Sequence, residues 1–433
     1  MRFSLPDIKN FSQRQAFILI GLIALLTGIS ILVFFNLRPK TAGEIAKLTV
    51  WGIENRDAFE ASFEKFRGAN PGVEINYRRL DSETYEDTLI NALAAGSGPD
   101  VFMFANSWLS KNKSKIAPAP ADIMNILTFQ QLYPQVAEQN FTDNQRIYAL
   151  PLSIDTLALL YNKNIFDQAG VTATPKTWGQ VRDIVDKVRV TDTNGQIIRA
   201  GIALGGSKKT IQNAPEIISC MMLQTAVLDP RTTDSKDIFT NPAGDAANQY
   251  LQFANPIQPF YTWNDTQQNA LESFAAQKTA MIIGYKSDLK DIKEKNLYLN
   301  TGIAQLPQPD NTQNITSCAK YWGLAVSKQT QQSQWAWKLV LALATDPDAG
   351  YAYAIVANRT PALRSLIASQ LQNPQESVFA RQALTARGWN DPDAKKTSEI
   401  INTMIVNVLS GQIDFSSGYS QAKSQIDQLR RQQ

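Results

Sequence analysis

Three phenylalanines set the register of the first predicted helix. Phe59, Phe63 and Phe66 recur at i, i+4 and i+7, one face of a helical turn pattern. The apolar run 48–51 before them predicts a strand. Asn70-Pro71-Gly72 predicts a turn, and Val73, Ile75 and Tyr77 then alternate as a second strand. Tyr85, Leu89 and Leu93 at i, i+4 and i+8 predict another helix, closed by Gly96. The stretch GPDVFMFANSW, 98–108, then supplies an unbroken apolar run at 101–105, the signature of a strand buried on both faces. Strand, helix, strand, helix, strand at this spacing predicts βαβ units and a parallel sheet covered by helices.

The pattern continues downstream. Residues 157–161 predict a strand that turns into a short helix ended by Gly170. Thr177 is placed to cap a helix whose apolar face is Val181, Ile184, Val185 and Val188. Thr193-Asn194-Gly195 predicts a hairpin-type turn. Residues 241–278 predict helix, interrupted by ANPIQPFYTWND. KTAMIIGYKSD predicts a buried strand ending at Gly284 and Tyr285, and AKYWGLAVSK another opening on Tyr321 and Trp322. Helices dominate from Ser333 onward.

The amino-terminal pattern is different. Residues 17–35, FILIGLIALLTGISILVFF, carry no charge. At ~1.5 Å per residue this run is about long enough to cross a ~30 Å hydrocarbon core. Arg2, Lys9 and Arg14 precede it, which favours the amino end in the cytoplasm and the body outside. The expectation is a cytoplasmic tail at 1–16, a transmembrane anchor at 17–35, a tether at 36–46, and a single-pass protein of the cell membrane. A cleaved signal peptide is the competing reading; its apolar core is normally shorter, about 7–15 residues. Both export the body.

Composition narrows the chemistry. The chain of 433 residues is too long for one ordinary core, and two domains are expected. With 42 basic and 39 acidic side chains, nothing points to a nucleic-acid partner. There is no histidine, which excludes imidazole bases, Ser-His pairs and His-ligated metals. No metal or other cofactor is expected. Cys220 and Cys318 form either one disulfide or two separate buried thiols; spacing does not choose between them.

In open α/β sheets, ligands bind beyond the carboxyl ends of the strands. Trp51 to Glu54 follow the first strand, and Asn106, Ser107 and Trp108 follow the third. In a parallel sheet both groups emerge at one edge. Indole faces with directed hydrogen bonds suit a sugar-like ligand. Alternatively each indole covers the sheet end.

Six stretches in order resemble the extracellular solute-binding proteins of ABC importers, the maltose/oligosaccharide-binding group. They are FEKFRGANPGVEINY, LINALAAGSGPDVFMFANSW, ALPLSIDTLALLYNKNIFDQAG followed by PKTWGQV, ALESFAAQKTAMIIGY, YWGLAVSK and NRTPALRS. The resemblance implies a two-lobed periplasmic-binding-protein fold, type II-like, each lobe a mainly parallel sheet flanked by helices. It divides the body into 46–153 with 325–365 and 156–322 with 366–433. It implies a monomer that closes on a carbohydrate-like solute by hinge motion and serves ABC permease subunits. Two features depart from the family pattern: Gly284-Tyr285-Lys286 stands where the family carries Gly-Pro-Trp or Gly-Trp, and the body is expected on its own anchor.

Under this reading Trp51 and Trp108 stack on the ligand, and Glu54, Asn106 and Ser107 hydrogen-bond to it. Asp155, where the chain crosses between lobes, accepts ligand hydroxyls or caps a turn. Tyr285 and Trp322 supply the second lobe's aromatic surface. Arg359 holds a hydroxyl or carboxylate, or forms a salt bridge. Trp263 with Asp265 staples a loop or joins the site; Trp335, Trp337 and Trp389 belong to packing. Aromatics favour an oligosaccharide, whereas Lys286 and Arg359 suit an acidic or phosphorylated solute. Two other functions compete: a glycoside hydrolase pairing Glu54 with Asp155, and an anchored sensor or adhesin on the same scaffold.

Overall fold

The computed structural model describes residues 46–226, 238–312 and 314–432. Two hydrophobic cores organise them. One is built around Phe63, Tyr85, Phe102, Phe104 and Trp337. The other is built around Trp178, Tyr250, Trp263 and Phe274.

The first core holds a sheet opened by β1 (Ala46–Gly52), β2 (Val73–Arg79), β3 (Val101–Ala105) and β4 (Ile116–Ala117). The predicted amphipathic helices lie between these strands, at Glu60–Ala69 and Tyr85–Ala94. They bury Phe63 and Phe66, and Tyr85, Leu89 and Leu93. A hairpin of β5 (Thr142–Asp143) and β6 (Arg146–Ile147) leads to β7 (Ala149–Pro151). The second core holds β8 (Ala158–Asn162), β9 (Val190–Thr191), β10 (Ile197–Ile202), β11 (Thr279–Gly284) and β12 (Thr301–Ala304). Next come β13 (Ser317–Cys318), β14 (Trp322–Ser327) and β15 (Ala386–Arg387).

Strand order in the first sheet is β2-β1-β3-β14-β4, with β7 also on β14; in the second it is β12-β8-β11-β10-β9. β1 is parallel to β2 and β3, and β10 to β11, as βαβ units require. β14 runs antiparallel to β3, β4 and β7, and β8 antiparallel to β11 and β12. Both arrive straight from the opposite lobe. No crossover helix constrains their direction, so the sheets are mixed.

Local signals explain the helix ends. The Thr177 hydroxyl accepts from Gln180 N at 3.3 Å and caps Trp178–Val188. Gly170 ends its helix at φ +66°, left-handed backbone that a Cβ would strain. The Asp192 carboxylate accepts from Asn194 and Gln196 N, closing the 193–195 turn between β9 and β10.

The expected transmembrane anchor is corrected. Among the described residues no helix is long and apolar enough to cross a membrane. The span at 17–35, with its tail and tether, lies outside the described residues. The described residues therefore form two α/β lobes, with no membrane helix among them. Anchorage through such a helix and single-pass placement in the cell membrane find no support in it.

Candidate functional site

The chain passes between the lobes at 152–156 and again at 319–321. Main-chain bonds fasten these passages together. Leu152 N donates to Trp322 O at 2.9 Å, Lys320 N to Asp155 O at 3.0 Å, and Ile154 N to Thr360 O at 2.9 Å. Isolated bridges join Ser153 to Pro361 and Thr156 to Ala319. A further passage runs through the helix Ser377–Thr385, which gives Phe379 to the second core and Ala380 and Ala383 to the first.

Asp155 lies at the middle of this bundle and is 1% exposed. Its Oδ1 accepts from Thr360 N at 3.0 Å; its Oδ2 accepts from Arg359 at 3.0 Å and from Ser153 Oγ at 3.3 Å. Arg359 also donates to Glu54 Oε1 at 2.8 Å. One guanidinium thus joins the loop after β1 to the first passage. Burial alone would lower the Arg359 pKa, but Asp155, Tyr353 and Glu54 together raise it. Both carboxylates are committed to this arginine.

The aromatic residues separate into two kinds. Trp108 is 7% exposed. It stacks on Tyr85 at 5.9 Å and meets Phe104 and Trp322 edge-on at 5.7 and 5.3 Å. Trp108 therefore covers the sheet end. Trp51, Trp322 and Tyr285 are half-buried. The Arg78 guanidinium sits over the Trp51 ring at 5.0 Å, and the Lys320 ammonium over Tyr285 at 5.8 Å. Burial pushes the Tyr285 hydroxyl well above the usual tyrosine range, reinforced by Glu216, Asp288 and Asp155.

Asn106 is a strut. Its Oδ1 accepts from Tyr321 N at 3.0 Å, its own N–H donates to Tyr321 O at 3.0 Å, and its Nδ2 reaches Ala319 O at 3.3 Å. The polar residue ending a core strand thus receives the second passage. Asn106→Ala would leave Tyr321 N–H buried without its partner. A loss of about 1–3 kcal/mol is expected in urea unfolding; an unchanged midpoint would contradict the strut. Ser107 is half-buried beside it.

The remaining residues named from the sequence have partners of their own. Trp263 is fully buried and donates to Thr210 Oγ1 at 3.1 Å, while Asp265 accepts from Ser207 N and Thr210; the pair staples a loop. Lys286 is 5% exposed, donates to Arg359 O at 3.2 Å and pairs with Glu376. Its charge is already matched. Trp337 lies in the first core. Trp335 packs against that core beneath Lys338, and Trp389 packs on the second.

Sequence reasoning missed Glu216, whose carboxylate pairs with Lys320 at 2.7 Å. Its other oxygen is buried without a hydrogen-bond partner. Glu216 sits in no motif, and Lys320, within AKYWGLAVSK, was read only as part of a strand, so nothing in the chain marked the pair. Also missed was a polar cleft of about 260 Å³ lined by Glu54, Arg79, Asp288, Lys290, Asn358 and Arg359 among others. Burial raises the Asp288 pKa despite a bond from Tyr285 N.

At another margin the lobes touch through ion pairs. Lys111 reaches Asp393 at 2.9 Å and Glu86 at 3.2 Å, and Lys395 reaches Asp87 at 2.8 Å. Asp391 beside them is pushed up to about 7 by burial, despite bonds from Thr397 and Asp393 N. The folded state keeps this proton where the unfolded chain, near 3.8, has lost it. Stability should therefore fall as pH rises between those values, by up to about 4 kcal/mol. Asp391→Asn should remove that slope from a pH series of unfolding midpoints. Parallel curves for the two proteins would refute the assignment.

Comparison with known proteins agrees with this architecture. The family model described as "Bacterial extracellular solute-binding protein" matches residues 52–350. A maltotriose-binding protein of Pyrococcus abyssi is 29% identical over 129 residues, 30% of this chain but only 27% of that protein. The maltodextrin-binding protein MdxE of Bacillus subtilis is 26% identical over 63% of this chain and 64% of its own. Among solved structures, an ABC transporter solute-binding protein of Thermotoga lettingae bound with alpha-D-tagatose superposes with a TM-score of 0.70. It has 22% identity and covers 89% of this chain and 99% of that one. The GacH receptor of Streptomyces glaucescens gives 0.71 at 19% identity, over 89% and 98%. The chain belongs to the bacterial extracellular solute-binding protein family and is related within it to the maltose- and oligosaccharide-binding proteins of ABC importers.

Proposed function

We propose that the protein captures a neutral saccharide between its lobes and passes it to an ABC permease after hinge closure. The expectation of an anchored protein is corrected here too, since the fold carries no membrane helix among its described residues. The observation that carries the reading is a set of half-buried aromatics from two separately cored lobes: Trp51 near the end of β1, Trp322 opening β14 directly after the second passage, and Tyr285 beneath Lys320 of that passage. Neutrality follows from Arg359 and Lys286, whose charges are already met by Glu54, Asp155 and Glu376. An acidic solute that used either of these cations would have to displace one of these pairs.

The glycosidase reading is set aside, because the family is one of binding proteins and Glu54 and Asp155 share one guanidinium. Calorimetric titration with maltotriose, maltotetraose and their uronate or phosphorylated counterparts tests the proposal. Neutral sugars should bind without products, and ligand at 100 Kd should add about 2.7 kcal/mol of stability. Trp51→Ala should weaken binding by roughly 10–100-fold with little change in stability. Turnover, or binding confined to the anionic sugars, would defeat the reading.

A further inference from the structure

One face of the helix Ala214–Thr225 carries Glu216, Cys220 and Gln224 at i, i+4 and i+8. Each meets the segment that leads into the second passage. Gln224 Nε2 donates to Pro307 O at 2.9 Å and Thr316 O at 3.3 Å. Cys220 is disulfide-bonded to Cys318, closing a separation of 98 residues. Glu216 pairs with Lys320 at 2.7 Å.

The spacing matches. Four helical residues advance about 6 Å, and two extended residues about 6.6 Å. Positions 224, 220 and 216 therefore meet 316, 318 and 320 in step, with the two segments running in opposite directions. Besides the covalent bond, the segment is held by single contacts: Thr316 N donates to Gln308 Oε1 at 2.9 Å, Ser317 Oγ lies 3.3 Å from Thr385 Oγ1, and Ala319 N donates to Arg387 O at 3.2 Å. β13 and β15 pair over only two residues each, Ser317 with Ala386 and Cys318 with Arg387.

The far end of the passage is fixed by the other lobe. Both main-chain groups of Tyr321 bond to Asn106, and Trp322 begins the β14 ladder opposite Ala105. Only Ala319 and Lys320 lie between the disulfide and this anchor. Lys320 is also the residue held over the Tyr285 ring.

We propose that the Cys220–Cys318 bridge is a positioning clamp for the cleft. It confines bending of the second passage to Ala319 and Lys320, and holds the Lys320 ammonium beside Tyr285. The proposal rests on the hinge reading above and adds the element that sets where the hinge turns.

Amide hydrogen exchange on the intact chain, before and after tris(2-carboxyethyl)phosphine, tests it. The phosphine gives two electrons to the bridge, and one water supplies both thiol protons and the oxygen of the phosphine oxide. A two-dalton mass gain confirms reduction. Exchange at 316–318 should then quicken about tenfold or more, while 101–105 keeps its protection. Cys220→Ser with Cys318→Ser should reproduce the effect. Gln224→Ala, with the bridge intact, should leave Cys318 to Lys320 protected. Unchanged exchange at 316–318 in fully reduced protein overturns the clamp. Release in the Gln224→Ala protein equal to that on reduction also overturns it. Should no saccharide bind while reduction still frees 316–318, the functional reading fails and the clamp stands.

Discussion

Replacing Arg359 with alanine is expected to lower the free energy of unfolding by about 3–5 kcal/mol. The guanidinium bridges Glu54 and Asp155, and the side chains of all three are largely withdrawn from solvent, at 17%, 16% and 2% exposure. Removing it strands two carboxylates in a poorly hydrated setting. Arg359→Lys should recover only part of the loss, because one ammonium cannot present the two separately directed N–H groups. The damage should shrink by about 0.5–3 kcal/mol in a Glu54→Gln, Asp155→Asn background, where no stranded charge remains. Urea unfolding of the five proteins provides the comparison. Additive effects, or a loss below about 1 kcal/mol for Arg359→Ala, would show that the pairing carries no structural weight.

Trp108→Ala carries the second large effect, about 3–5 kcal/mol of stability with or without sugar. Its indole is held by Tyr85, Phe104 and Trp322, so truncation opens a cavity under the end of β3. Trp108→Phe should cost roughly 1–2 kcal/mol, since much of the packing surface is kept. Calorimetric unfolding beside sugar titration separates the roles. If Trp108→Ala unfolds normally yet loses sugar binding, the indole belongs to the ligand and the packing assignment is wrong.

These two residues show where sequence reasoning reached and where it stopped. Periodicity fixed the helices of the first lobe: Phe63 and Phe66 face inward, as do Tyr85, Leu89 and Leu93, because amphipathic spacing is a local property. Thr177 was legible as a cap for the same reason. The Asn106 strut was visible as an oddity, a polar residue closing an apolar strand, but its partner Tyr321 is 215 residues away. Whether Trp108 faced solute or core depended on Trp322, equally remote in the chain. Lys286 read as a free cation because Glu376 lies in a different helical region. The two cysteines were countable, but their pairing needed the helix face that presents Cys220 to β13. What remained hidden was in each case a contact between segments that only the folded passages bring together.

The place of β14 in the first sheet has a consequence for biosynthesis. β3 pairs on one side with β1, and on the other only with β14. Until translation has passed Ser327, the apolar edge of Val101–Ala105 has no neighbour there. A nascent chain holding every earlier strand of that sheet still exposes an open, sticky border, the kind that recruits stray strands. Completion of the first lobe must therefore wait for most of the second to be synthesised. The two halves of this molecule mature together rather than in the order in which they are made.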